Sequence, residues 1–188
     1  MKRVLSLLCL LLCLPIAPAH AEPRTSCVPA NIRPSRAWIT RALCGQQRYS
    51  ATLRRLLVAV GAAPLVVYVE EAGATPGAWD GRLRFLGRAA SWRYVVIDVR
   101  PGASGPVVAA LLAHELQHAL EVHGGRVENA AEFRRLFARI GFPSGVAGVD
   151  AFDTAAAIDA GVDTLRELTG REPMTTAHRY RLTPPERH

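Results

Sequence analysis

The stretch VVAALLAHELQHALEV, residues 107–122, decides how the rest of the chain is read. Val107, Val108, Leu111, Leu112, Leu116, Ala119, Leu120 and Val122 cover most of the circumference of a helix, so the spacing predicts a buried one. Its interior nonetheless carries His114, Glu115 and His118. Residues four apart share one helix face, about 6 Å from each other along the axis. Burying two imidazoles and a carboxylate without partners is costly, and a divalent cation would supply the missing partner. The spacing also sets two imidazole nitrogens where both can lie about 2.1 Å from one zinc ion. Glu115 then sits one residue further round, beside the open coordination position, where it could accept a proton from zinc-bound water. Gln117 projects from another side of the helix and is read as structural.

Upstream, Pro101 to Pro106 breaks the chain, with Ser104 as a candidate cap and Pro106 in the first helical turn. Three strands are expected before it. These are the β-branched run Leu65–Val69, the stretch Arg82–Leu86 in which arginines alternate with apolar residues, and Tyr94–Val99. The charged alternation of Arg82–Leu86 suits an edge strand with one wet face. A helix from about Tyr49 to Val60 repeats leucines at helical spacing, and Gly61 can end it. Residues 22–48, rich in Pro, Ser and Arg, are expected to form an irregular N-terminal arm.

Downstream, Gly124 and Gly125 end the motif helix, and a second helix is expected from about Val127 to Ile140. A last helix spans Thr154–Thr169, with Asp153 as its expected cap and Gly170 as its stop. Its Ala155, Ala156, Ala157, Ala160 and Gly161 are small enough for close approach to a neighbouring helix. Residues 171–188 are expected to be an irregular tail. The fold class is therefore α+β: a small three-stranded or larger mixed or antiparallel sheet, packed on the motif helix and followed by a helical C-terminal part.

The 188 residues suit a single domain over 22–170. Lys2 and Arg3, the apolar run Val4–Leu14 and the small residues Ala19 and Ala21 read as a signal peptide, residues 1–21, which predicts a secreted or periplasmic protein. The apolar run stops at Pro15, short of the roughly 20 residues that span a bilayer, so no transmembrane anchor is expected after cleavage. Cys27 and Cys44 are then the remaining cysteines, and an oxidising compartment predicts a disulfide between them. The formal net charge of +7 falls to +5 without Lys2 and Arg3, and arginine supplies the whole excess. Such a surface favours anionic partners such as lipid, envelope polymer or nucleic acid. No basic block interleaved with aromatics points to specific nucleic-acid binding, and the arginines are read as solvated.

His114-Glu115-Leu116-Gln117-His118 matches H-E-x-x-H, and here the chain resembles the zincin metallopeptidases. The order of helix, three strands and motif helix also resembles the upper half of a zincin. The resemblance implies a zinc cofactor held by His114 and His118, Glu115 as general base to an activated water, and a peptide or protein substrate lying along an edge strand. The metzincin pattern needs Gly and His three and six residues past His118, where Glu121 and Gly124 stand, so the resemblance is nearer the gluzincins, which take a later carboxylate as third ligand.

Glu128, Glu132, Asp150, Asp153 and Asp159 are the candidates for that ligand, with helix capping as the alternative role of Asp153. Phe152-Asp153-Thr154 resembles a segment of uncharacterised bacterial secreted proteins carrying H-E-L-Q-H-A, which favours Asp153; in those proteins the acid is typically glutamate. An oxyanion donor is also wanted, and His178 and Tyr180 are the candidates. Two other readings stay open: a catalytically weak or inactive zincin-like domain that binds zinc and an envelope partner, and an arginine-rich envelope binder without metal.

Overall fold

A computed structural model describes residues 26–73, 81–143 and 152–170. The expected signal segment and tail, Asp150, His178 and Tyr180 lie outside the described residues. The order is β1 (Ile32–Pro34), α1 (Ala37–Gln46), α2 (Ala51–Ala62), β2 (Leu65–Glu71), β3 (Gly81–Ala89), β4 (Trp92–Val99), α3 (Gly105–Gly124), α4 (Ala130–Ile140), β5 (Phe142–Pro143), β6 (Phe152–Asp153) and α5 (Ala155–Thr169). The fold is α+β, as expected.

Its main sheet is mixed and four-stranded, in the order β1-β2-β4-β3, so β3 is an edge strand. Strands β1, β2 and β4 run parallel and β3 returns antiparallel to β4. Alternation sorts the faces. Leu65, Val67 and Val69 of β2 join Val95, Ile97 and Val99 of β4 in the core, packed with the helices. On the opposite face Asp98 accepts from Arg84 Nε at 2.7 Å and Arg82 Nη2 at 3.1 Å. Burial would raise the Asp98 pKa, but these two guanidiniums outweigh it and hold the carboxyl below its ordinary value. Arg82 and Arg84 are thus ion-paired rather than simply solvated.

The expected irregular arm contains β1 and α1. Three residues are too few to announce a strand by pattern, yet Ile32 pairs with Val67, while Ile39 and Leu43 of α1 are fully buried. Cys27 and Cys44 form the expected disulfide, with Cα atoms 5.4 Å apart. It ties the start of the described chain to α1, with sixteen residues between the two cysteines, and replacing both with serine is expected to lower stability by about 3 kcal/mol in chemical unfolding.

Helix α3 is the hub, packing against α1, α2, α5 and three strands of the main sheet. Ser104 stands at its N-cap without a side-chain cap bond, and Pro106 occupies the first turn. Helix α5 lies closely against α3 because Gly161 leaves room: a Cβ there would fall 3.3 Å from the Ala110 carbonyl and 3.4 Å from His114 Cβ. The far end of α5 is fastened to α2. Ser50 caps α2 by accepting from the Leu53 amide, and Glu167 accepts from Ser50 Oγ at 2.5 Å and from the Thr52 amide at 3.0 Å.

These donors hold the Glu167 pKa below its ordinary value against the opposing effect of burial. A depressed acid stabilises the fold above its unfolded pKa and loses that contribution as pH falls through the folded one. Glu167→Gln is therefore expected to cost about 1 kcal/mol in urea unfolding at neutral pH, the scale of a lost cap, and much less at pH 3. Equal costs at both pH values would contradict this assignment.

Candidate metal centre

The buried face of α3 presents His114 and His118 one turn apart, and α5 is entered through Asp153 on the same side. Asp153 Oδ1 lies 3.3 Å from His114 Nε2 and 3.5 Å from His118 Nε2. The ligating atoms of the three residues all fall within 4.8 Å of one another. Donors about 2.0–2.1 Å from a tetrahedral ion stand about 3.3–3.4 Å apart, so both Asp153 separations already match such an ion and only the histidine pair must draw together. The side chains are enclosed, with His118 5% and Asp153 9% exposed. A buried His-His-Asp group of this geometry could hold a metal ion.

Capping and ligation do not compete at Asp153, as the sequence left open. The N-cap of α5 is Thr154, whose side chain accepts from the Ala157 amide. Asp153 belongs to β6, which pairs with β5, and its Oδ1 accepts from the Thr154 amide at 2.8 Å. That bond fixes the carboxylate against the histidines.

The other candidate acids stand elsewhere. Glu128 pairs with Arg88 Nη1 at 2.6 Å, Glu132 accepts from the Glu128 amide at the start of α4, and Asp159 is exposed on α5. The helix expected from Val127 begins at Ala130, with Asn129 as its cap, which leaves Glu128 in the connecting turn.

Glu121 is the residue that sequence reasoning missed. His118 Nδ1 lies 2.8 Å from Glu121 Oε2, and the Thr154 hydroxyl donates to Glu121 Oε1 at 2.7 Å. A carboxylate on the second nitrogen of a ligating histidine fixes its tautomer and ring orientation. The signal is present in the sequence as an acid three residues past His118, one turn along a largely apolar helix. Phe137 of α4 closes the remaining side of the ring, edge-on at 5.1 Å.

The electrostatics follow from this enclosure. Burial lowers His114 to about 4, helped by the neighbouring His118 charge. Burial would lower His118 as well, but its bonds to Asp153 and Glu121 win and raise it to about 9. Burial would raise Asp153, yet His118 and His114 hold it below its ordinary value. One proton on His118 therefore neutralises the cluster where a cation would otherwise do so.

Glu115 is 5% exposed and lies beside β3. Burial pushes it up to about 7 against the opposing effects of the His118 charge and the Leu83 amide. Gly81 leaves space for this carboxylate, since a Cβ there would fall 3.0 Å from Glu115 Oε1.

No known protein family, characterised protein or solved structure matches this chain. Among the described residues no helix is long and apolar enough to cross a membrane. The disulfide is compatible with an oxidising, extracytoplasmic setting.

Proposed function

We propose that the chain is an exported, zinc-dependent peptidase in which His114, His118 and Asp153 hold the ion and Glu115 is the general base. The observation that carries this reading is the convergence of three donor atoms beside a buried carboxylate at a sheet edge. Zinc suits two imidazoles and one carboxylate with a position left open, and when bound it supplies a Lewis acid and a water of lowered pKa. Glu115 accepts the proton of the attacking water and returns it to the leaving amine, a task that favours a pKa near the working pH. Strand β3, at the sheet edge among the described residues, would offer its outer backbone to an extended peptide, so that substrate pairing with the sheet brings a scissile carbonyl towards Glu115. Glu121 and Thr154 keep the His118 ring in place throughout. The test is hydrolysis of a peptide library by the zinc-loaded protein, with loss of every cleavage on chelation.

A second reading, a zinc-holding domain that binds an envelope partner without cleaving it, draws on the enclosure of Glu115, His118 and Asp153. Absence of any chelator-sensitive cleavage alongside stoichiometric zinc would favour it.

A further inference from the structure

At the end of the sheet carrying the β3–β4 turn lies a cleft of about 540 Å³, lined by Arg88, Arg93, Arg126, His123 and Glu128 together with turn backbone. It is separate from the metal centre: His123 is five residues beyond His118, about 7.5 Å further along the axis of α3.

The charges of this cleft do not balance. Glu128 is taken by Arg88, whose Nε also donates to the Ala90 carbonyl. Arg93 is 8% exposed, yet its described partners are carbonyls alone, Val127 at 2.8 Å from Nε and Ser91 at 3.5 Å from Nη1. No carboxylate among the described residues pairs with Arg93 or Arg126. A guanidinium has five N–H donors, so Arg93 keeps donors to spare. A buried cation without a counter-charge is costly, and an anion entering the cleft would remove that cost.

His123, near the C-terminal end of α3, lines the same cleft.

We infer that this cleft is a phosphate-binding site, in which Arg93, Arg126 and His123 receive the phosphate group of a small molecule or of an anionic lipid headgroup. Guanidinium forks match phosphate oxygens bidentately, which favours this group over a simple halide. Arg126 is the informative position. It is exposed and adopts φ 53°, a left-handed conformation that glycine takes without strain. Arg126→Gly thus removes a charge while relaxing the backbone, and lost binding cannot be ascribed to misfolding.

Titration of the mature chain with inorganic phosphate at about 0.15 M NaCl, followed by NMR of the arginine side chains, should show saturable binding that Arg126→Gly weakens about tenfold or more, or about 1.4 kcal/mol. Sedimentation with phosphatidylglycerol vesicles, against neutral phosphatidylcholine vesicles, separates the two sources of the group. Arg126-dependent binding to the anionic vesicles alone assigns the site to a lipid phosphodiester, and saturable binding of inorganic phosphate assigns it to a free phosphate group. Absence of both, or binding unchanged by Arg126→Gly, overturns the inference.

Discussion

Glu115→Gln is expected to abolish chelator-sensitive peptide cleavage while leaving metal content unchanged. Glu115 donates no atom to the His114, His118 and Asp153 cluster, so the neutral amide takes nothing from the ion. It does remove the group that accepts and returns the proton, and general acid–base catalysis contributes about 100- to 10,000-fold in rate. Stability should move the other way. Burial holds Glu115 up at about 7, above the unfolded value, so the ionised carboxylate destabilises the fold as pH rises through that range. In chelated protein at about pH 8, Glu115→Gln should therefore melt at a higher temperature than the wild type, as expected where a site sacrifices stability for activity. Turnover and melting measured on the same preparations check both halves. A variant that cleaves as fast as the wild type would remove Glu115 from the mechanism.

Asp153→Ala is expected to weaken metal binding by more than about 100-fold, since loss even of an outer carboxylate partner of a ligating histidine costs about 10- to 100-fold. Glu121→Ala belongs to that milder class and should fall within about 10- to 100-fold. The ordering distinguishes a donor from a positioning group: Asp153 Oδ1 faces both imidazoles, whereas Glu121 meets only Nδ1 of His118. The proton that His118 keeps up to about 9 sits on the nitrogen a cation needs. Each ion bound near pH 7.5 should thus release about one proton, and affinity should fall on acidification. Competition against a chromophoric chelator gives all three quantities. Equal losses for Asp153→Ala and Glu121→Ala would contradict the assignment.

Much of this arrangement was legible in the residues, for identifiable reasons. Helix α3 announced itself because its apolar run is long and its polar interruption short. Strands β2 and β4 were legible as β-branched runs, and β3 as an edge through the alternation of Arg82 and Arg84 with Leu83 and Phe85. Strand β1 and helix α1 were missed because a three-residue strand has no readable period and the helix begins within a Pro-, Ser- and Arg-rich stretch. Asp153 and Thr154 are both good capping residues, and sequence could not say which takes the extended backbone of the cap; the fold gives that role to Thr154 and turns Asp153 towards the histidines. The burial of Arg93 was invisible, because it depends on the Val127 carbonyl beyond the far end of α3, 34 residues away.

The central claim, that α3 and the segment leading into α5 build one zinc site, is tested most directly by metal analysis and X-ray absorption of the purified wild-type protein. The account predicts one zinc per chain, with nitrogen and oxygen donors at about 2.0–2.1 Å and no sulfur in the first shell. Substoichiometric metal after loading and dialysis, or a sulfur-ligated ion, would contradict it.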